Sequence, residues 1–234
     1  MTKDIFGKAL LDYQNGNYTE DLITSTNISD EDSLPLPYLF RPYNKMPKLE
    51  QKALQLCKGK VLDVGCGAGN HALWLIKKGL NVKAIDVSKG AIEVSRKRDV
   101  TNAEEKALLD ETDSFDTILL LMNGTGIFQE IMHVATYLNH LKSILNPGGQ
   151  ILIDSSDIKY MFEQEDGSYV MDVHEKYYGE LDYYLSYKDF ERLHLKWLYL
   201  DFNTLKDLCE SVGMICELVA TGSHYDYLAR IRIA

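Results

Sequence analysis

Through the middle of this chain, short and mostly apolar runs alternate with segments in which leucine and isoleucine recur at helical spacing. The runs predict strands at 61–64, 81–86, 115–124 and 150–154. The segments between them, 70–77, 88–95 and 137–145, show helical periodicity. Strands that alternate with helices form parallel sheets covered on both faces, so the pattern predicts a doubly wound α/β fold. Asn146-Pro147-Gly148-Gly149 predicts a turn before the strand at 150–154.

The C-terminal pattern predicts a helix followed by a hairpin. Asp201 is a suitable N-cap for a helix that Gly213 ends. Strands predicted near 214–219 and 227–233 lie too close in sequence for a helical crossover, so we expect them to pair antiparallel. The predicted architecture is therefore a mostly parallel, seven-stranded sheet with a C-terminal antiparallel hairpin.

Two segments lie outside this alternation. Residues 1–50 begin with a short helical pattern and continue into a proline-rich stretch at 34–42, which predicts an N-terminal arm or cap. In 157–200, apolar residues alternate with period two around 181–187 and 193–199, which predicts a small antiparallel β lid. We therefore expect a cap at 1–50 and a main domain at 51–234 that carries the lid as an insertion.

Composition narrows the classes of partner. The net charge of −10 disfavours broad contact with nucleic acid, which requires clustered Lys and Arg. The chain has neither an apolar run of about 20 residues nor a signal-peptide core, so we expect a cytoplasmic protein without a membrane partner. Its four cysteines form no Cys-x-x-Cys pair, so we expect no metal site.

The strongest chemical signal is a glycine loop after the first strand of the main domain. Asp63 precedes Gly65, Gly67 and Gly69, and a predicted helix follows directly. Glycine allows sharp bends and close approach of a ligand, and the first N–H groups of a helix are unpaired. Dinucleotide-binding loops favour Gly-x-Gly-x-x-Gly, whereas the spacing here is Gly-x-Gly-x-Gly.

With its context, this loop resembles the first motif of the class I S-adenosylmethionine (SAM) dependent methyltransferases. Three further stretches match the same family, Asp86 after the next strand, Phe115-Asp116-Thr117-Ile118 and Asn146-Pro147-Gly148-Gly149. The closing hairpin is also similar, and the resemblance covers roughly 50–155 and 201–234. It implies a methyltransferase that binds SAM and releases S-adenosylhomocysteine (SAH).

The resemblance also implies residue roles. The three glycines would lie beside the methionine part of SAM, Asp63 would hold the loop and the ammonium group, and Asp86 would accept hydrogen bonds from both ribose hydroxyls. Asn123 would lie near the transferred methyl group. Apart from the resemblance, Arg41 lies in the proline-bounded stretch, which could close over SAM so that Arg41 pairs bidentately with the cofactor carboxylate; the alternative is a surface ion pair. The expected cofactor-binding residues are Asp63, Gly65, Cys66, Gly67, Gly69, Asp86, Val87, Asn123 and Arg41.

Several assignments stay open at this stage. The family commonly places an adenine-binding acid near Lys106-Ala107, where this chain has none, although Glu105 or Asp110 lies close by. The catalytic residue is unknown, with His133, His174, His194 and His224 as candidates by type alone. Asp154 is equally consistent with a functional role and with a loop position.

The absence of one sequence motif narrows the class of molecule that accepts the methyl group. Amino-methylating DNA enzymes carry Asp/Asn-Pro-Pro-aromatic where this chain has Asn123-Gly124-Thr125-Gly126. We therefore expect a small-molecule acceptor, with Tyr184 of the lid as a possible pocket residue. A non-catalytic SAM sensor and a nicotinamide-dependent oxidoreductase remain the alternatives, and the oligomeric state is unknown.

Overall fold

The computed structural model describes residues 4–164, 166–169 and 176–234, and within them strands and helices alternate over residues 60–105. The helices are α1 Ile5–Gln14, α2 Leu36–Leu39, α3 Lys48–Leu56, α4 Asn70–Lys77, α5 Lys89–Lys97, α6 Val134–Ser143 and α7 Phe202–Ser211. The strands are β1 Leu22–Thr26, β2 Ser29–Leu34, β3 Lys60–Val64, β4 Asn81–Asp86, β5 Ala103–Glu105, β6 Phe115–Leu120, β7 Leu145–Ser156, β8 Glu180–Ser186, β9 Leu193–Leu198, β10 Met214–Thr221 and β11 Asp226–Ile233.

Seven strands form the central sheet in the order β10-β11-β7-β6-β3-β4-β5. The strands β3 to β7 are parallel, whereas β11 pairs antiparallel with both β7 and β10. The predicted seven-stranded architecture with its closing hairpin is therefore confirmed. Since the strand order reverses between β3 and β6, their carboxyl ends face the crevice in which such folds bind ligands.

The apolar runs are buried on both faces of this sheet. On one face, Ile118 and Leu120 pack towards α6 and α7, and on the other, Leu119 packs towards α3 and α4. Successive side chains of a strand point to opposite faces, so a run without alternation supplies both layers. Among the described residues, no helix is both long and apolar enough to cross a membrane.

A second sheet has the antiparallel order β2-β1-β8-β9. The segment predicted as a lid does form an antiparallel pair, β8 and β9, but the N-terminal strand β1 pairs with β8, and β2 pairs with β1. Sequence analysis missed both of these strands. The sequence of β2, Ser-Asp-Glu-Asp-Ser-Leu, is exposed over its first five positions, so it carries no alternation of apolar and polar residues.

Two predicted boundaries are wrong. The strand predicted from 150 begins at Leu145, because Asn146–Gly149 forms an irregularity within β7 rather than a separate turn, with φ +74° at Gly148. The strand predicted to reach 124 ends at Leu120, since Met122 and Asn123 both have positive φ, which an extended strand does not accommodate.

The N-terminal helix α1 packs closely against α5. A Cβ atom on Gly90 would lie 2.6 Å from the backbone of Gly7, so the helices meet at two glycines. Asp4 caps α1 through the Gly7 N–H and also accepts hydrogen bonds from Ser88 and from the Gly90 N–H. One carboxylate therefore fixes both helix N-termini together.

Candidate functional site

The glycine loop joins the end of β3 to α4 at the carboxyl edge of the central sheet. Gly65, Gly67 and Gly69 have φ values of +69°, +52° and +80°. The loop is held in place because the Gly65 and Cys66 N–H groups donate to the Ile85 carbonyl at 2.9 and 3.1 Å. Positive φ at all three positions explains why glycine occurs there, and Cys66 is buried behind the loop.

Asp86 ends β4 beside this loop. Its Oδ2 accepts a hydrogen bond from the Gly67 N–H at 2.9 Å and its Oδ1 one from the Ser88 N–H at 2.8 Å. Burial raises the pKa of Asp86 to about 6, although both N–H groups favour the ionised form. Each carboxylate oxygen retains a lone pair for a further donor. The following residue, Val87, leaves 74% of its surface exposed.

Asp63 lies behind the loop and is almost completely buried. Its Oδ2 accepts a hydrogen bond from the Ala72 N–H at 3.1 Å, and its Oδ1 lies 3.9 Å from Nδ1 of His71. Burial raises the pKa of Asp63, while the charge of His71 opposes that shift. The carboxylate thus ties the end of β3 to the first turn of α4.

Arg41 approaches the same corner from the segment that follows α2. Its guanidinium forms a buried ion pair with Glu50 of α3, donates to the Tyr38 carbonyl at 2.7 Å and lies over the Tyr38 ring. The alternative of a surface ion pair is therefore wrong, because only 5% of Arg41 is exposed. Its Nε is buried and has no hydrogen-bond partner among the described residues.

A cleft of about 300 Å³ opens beside these groups. It is lined by Tyr38, Pro47, Leu49, Glu50, Met122, Asn123, Asp154, Ser156, Tyr199 and Asp226. Three carboxyl groups and two phenols therefore face it, while no Lys, Arg or His belongs to its lining. A volume of this size lies at the lower end of the range of small-molecule sites.

Asp154, at the carboxyl end of β7, shapes the floor of the cleft. Its Oδ1 accepts from the Gly124 N–H at 2.9 Å and its Oδ2 from the Met122 N–H at 3.0 Å. These bonds hold a loop in which Met122 and Asn123 both adopt positive φ, a strained conformation that needs such support. Burial raises the pKa of Asp154 to about 6, so this carboxyl gains a proton as the pH falls through about 6.

The structure places Asn123 at the mouth of β6, as expected, but its amide turns inward. Its Oδ1 accepts hydrogen bonds from Ser155 at 2.9 Å and from Thr125 at 3.1 Å. Its Nδ2 donates to the Leu198 carbonyl at 3.2 Å. The side chain therefore connects the end of β6 to β7 and β9. The cleft is bordered here by the strained turn that contains Asn123.

The remaining candidate residues of the sequence analysis lie outside the cleft or outside the described residues. Tyr184 stacks against His194 and Arg192 and does not line the cleft. The tyrosines that line the cleft are Tyr38 and Tyr199. None of His133, His194 and His224 lines the cleft, and His174 lies outside the described residues. Glu105 is the register partner of Asp86, whereas Asp110 lies in a short turn further along the chain.

Sequence analysis missed Glu50, His71, Tyr199 and Asp226. Glu50 lies at helical spacing with Ala53 and Leu54 on the buried face of α3, so its position in the pattern was a signal and only its charge concealed it. Tyr199 ends the period-two alternation at 193–199, a pattern that does not indicate which side chains face a cleft. Only the C-terminal hairpin brings Asp226 beside Ser156 of β7, a pairing over a sequence separation of 70 that no local pattern reports.

Comparison with known proteins gives a consistent result. A family model described as a methyltransferase domain matches residues 38–214 of the chain. The chain is similar over 99% of its length to a SAM-dependent methyltransferase from Bacteroides fragilis, whose crystal structure contains S-adenosyl-L-homocysteine. The two chains are 42% identical with a TM-score of 0.93, and the match covers 95% of the Bacteroides protein.

Curated relatives match over a shorter segment. The chain is 33% identical over 110 residues to the methyltransferase GfsG of Streptomyces halstedii, and 29% identical over 103 residues to a ubiquinone biosynthesis O-methyltransferase of Histophilus somni. These matches cover 40% and 44% of this chain. They span 36% and 42% of those relatives, so the chain spans about two fifths of their length.

Proposed function

The chain belongs to the class I SAM-dependent methyltransferases, a methyltransferase-domain family, and we propose that it methylates a small-molecule acceptor bound in the cleft beside the glycine loop. The observation that carries the proposal is the cleft itself, since its volume of about 300 Å³ accommodates a small organic molecule. Its lining of tyrosines and carboxyl groups disfavours an acceptor that is anionic.

The residues around the loop fit the cofactor. Gly67 leaves open space, because a Cβ atom there would meet nothing closer than the Phe6 ring at 3.9 Å. Asp86 retains acceptor capacity for two ribose hydroxyls, and Asp63 supplies a negative charge towards an ammonium group. The unpartnered Nε of Arg41 is a donor suited to a carboxylate. We assign Gly65, Cys66 and Gly69 to the loop backbone, Val87 to the adenosine surface and Asn123 to the cleft edge.

SAM supplies an electrophilic methyl group on a positively charged sulfur, and the protein's contribution is mainly alignment. The turn at Met122 and Asn123, held by Asp154, would orient the acceptor towards the loop. A proton leaves the acceptor if its nucleophilic atom carries one. Asp154 is the cleft group that we propose to receive it, because its pKa, raised to about 6, leaves it largely ionised at neutral pH.

We further propose that residues 1–50 act as a cap over the main domain at 51–234, with the insertion at 157–200 as its lid. The strand β1 lies between β2 and β8, so cap and lid would close the acceptor side together. Phe6 of α1 faces the loop near Gly67, which adds a second wall on the cofactor side.

The small-molecule assignment predicts where a labelled methyl group goes. We expect incubation with methyl-tritiated SAM and a bacterial extract that retains its metabolites to yield a labelled product that passes a filter of about 3 kDa, as small molecules do and macromolecules do not, and that separates from unreacted SAM on chromatography. The retained protein, RNA and DNA should stay at the background of a reaction without enzyme. The Asp86→Ala variant serves as the matched control for enzyme-dependent transfer.

Label in a retained macromolecule that disappears with Asp86→Ala would contradict the small-molecule assignment while preserving the cofactor site. If neither fraction contains a labelled product other than SAM, although the protein binds SAH, the result would count against a small-molecule acceptor. Label in the filtrate identifies the acceptor directly by mass spectrometry, since methylation adds one CH₂ to its mass.

A further inference from the structure

Glu50 joins three separate parts of the chain at the methionine side of the proposed cofactor site. Its Oε1 pairs with Arg41 from the N-terminal segment, and its Oε2 lies 2.9 Å from Nε2 of His71 in α4. Glu50 itself belongs to α3, and only 3% of its surface is exposed. It is also one of the residues that line the cleft.

The charged groups around Glu50, namely Arg41, His71 and Asp63, shift the pKa values of Glu50 and His71. Burial alone would raise the pKa of Glu50, but the hydrogen bond from His71 and the charges of His71 and Arg41 lower it overall. Burial alone would favour neutral His71, whereas Glu50 and Asp63 raise its pKa. Each ionised group is thus stabilised by its neighbours, and the removal of one leaves another buried and unpaired.

A separate contact already ties the same two segments together. Nδ2 of Asn70 donates to the Leu39 carbonyl at 2.6 Å, one residue from His71 and two from Arg41. The backbone can therefore stay docked without the Glu50 carboxylate. Glu50 supplies the carboxylate that both the Arg41 guanidinium and the His71 ring bind, whereas the Tyr38 carbonyl holds Arg41 alone.

We propose that Glu50 is a positioning residue that fixes Arg41 and His71 for binding of the amino-acid end of the cofactor. The inference rests on the proposed function, since it takes the cofactor to occupy the glycine loop. Glu50 and the Tyr38 carbonyl hold the two terminal nitrogens of the Arg41 guanidinium, while its buried Nε has no partner among the described residues. A carboxylate that reaches this unsatisfied donor would satisfy it, and the orientation of the guanidinium is already set.

Comparing two ligands isolates this role. SAH contains the amino-acid end, whereas 5′-methylthioadenosine keeps the adenosine and the sulfur but lacks it. We expect Glu50→Gln to weaken SAH by about 30-fold in calorimetric titration, the usual scale for loss of one partner of a buried charge pair. The affinity for 5′-methylthioadenosine should change by less than about twofold, because Asp86 and the glycine loop are untouched.

A matched acid-to-amide change provides the control. Asp116 lies at the opposite end of the sheet, where its carboxylate accepts from the Lys60 N–H at 2.7 Å and from Asn146 at 2.9 Å. We expect Asp116→Asn to leave both affinities unchanged. If Glu50→Gln does not fold, His71→Asn, which retains the Arg41–Glu50 pair, should still weaken SAH selectively, by about fivefold.

The outcomes separate this inference from the cofactor assignment. If wild-type protein binds both ligands and Glu50→Gln weakens them equally or not at all, Glu50 is merely structural and the inference fails alone. If the wild-type protein binds neither ligand, the cofactor site itself has been misassigned. A selective loss of SAH in either variant, against unchanged Asp116→Asn, supports the positioning role.

Discussion

Replacement of Asp86 by alanine is expected to weaken SAH binding by at least about 100-fold, because two charge-assisted hydrogen bonds to ribose hydroxyls would be lost together. The same carboxylate also orders the loop by accepting from the Gly67 and Ser88 N–H groups. Calorimetric titration measures the affinity, and circular dichroism checks the fold. Glu210→Ala, which removes an exposed acid from α7, should leave the affinity unchanged.

Asp86 also predicts the direction of the pH dependence. Ribose hydroxyls donate to the ionised carboxylate, and the pKa of this buried group is raised to about 6. The wild-type affinity for SAH should therefore decline as the pH falls through about 6. The Asp86→Asn variant, which cannot ionise there, should bind weakly and without that decline. A pH-independent wild-type affinity between 5 and 7.5, or Asp86→Ala binding SAH normally, would contradict the assignment.

Replacement of Gly67 by valine is expected to abolish measurable SAH binding, a loss of at least about 100-fold in affinity, while the protein stays folded. Gly67 has φ +52°, which disfavours a β-branched residue. A Cβ atom would project towards the open side of the loop, where the nearest protein atoms are 3.9 Å away on Phe6. The valine would thus occupy the space that we assign to the cofactor rather than disrupt the core.

Gly79→Val separates the effect of backbone strain from the effect on the site. Gly79 follows α4 and has φ +82°, and a Cβ atom added there would meet no other atom within 4 Å. Both variants should lose a similar amount of stability, about 1 kcal/mol from the unfavourable conformation. Only Gly67→Val should lose SAH binding. Equal affinities in the two variants would show that the glycine loop does not hold the cofactor.

The central sheet could be predicted from the sequence because its elements are locally encoded. Unbroken apolar runs such as the one at Ile118 report burial on both faces, and Ser88 and Asp201 accept from the N–H groups that helix caps require. The acid and glycines of the loop are close in sequence, so their geometry follows from one strand and one turn. The oxidoreductase alternative is set aside, because the family is one of SAM-dependent methyltransferases. A non-catalytic SAM sensor would share this fold, and the methyl-transfer assay distinguishes it from an enzyme.

The acceptor side was less predictable because it is assembled from distant segments. Glu50, Asp154 and Asp226 meet in the cleft only after the sheet order is established. Arg41 was expected to be either a ligand contact or a surface residue, and its burial depends on Glu50 and His71, which lie on two other helices. The edge strand β2 has no apolar alternation, so its pairing with β1 was invisible in the pattern.

Parallel calorimetric titration of the purified protein with SAM, SAH and NADH tests the central claim most directly. The account predicts saturable binding of SAM and SAH at one site per chain and no binding of NADH, because the Gly-x-Gly-x-Gly spacing and the C-terminal antiparallel hairpin differ from those of dinucleotide-binding folds. Binding of NADH alone, or silence from SAM and SAH, would contradict the account of the glycine loop.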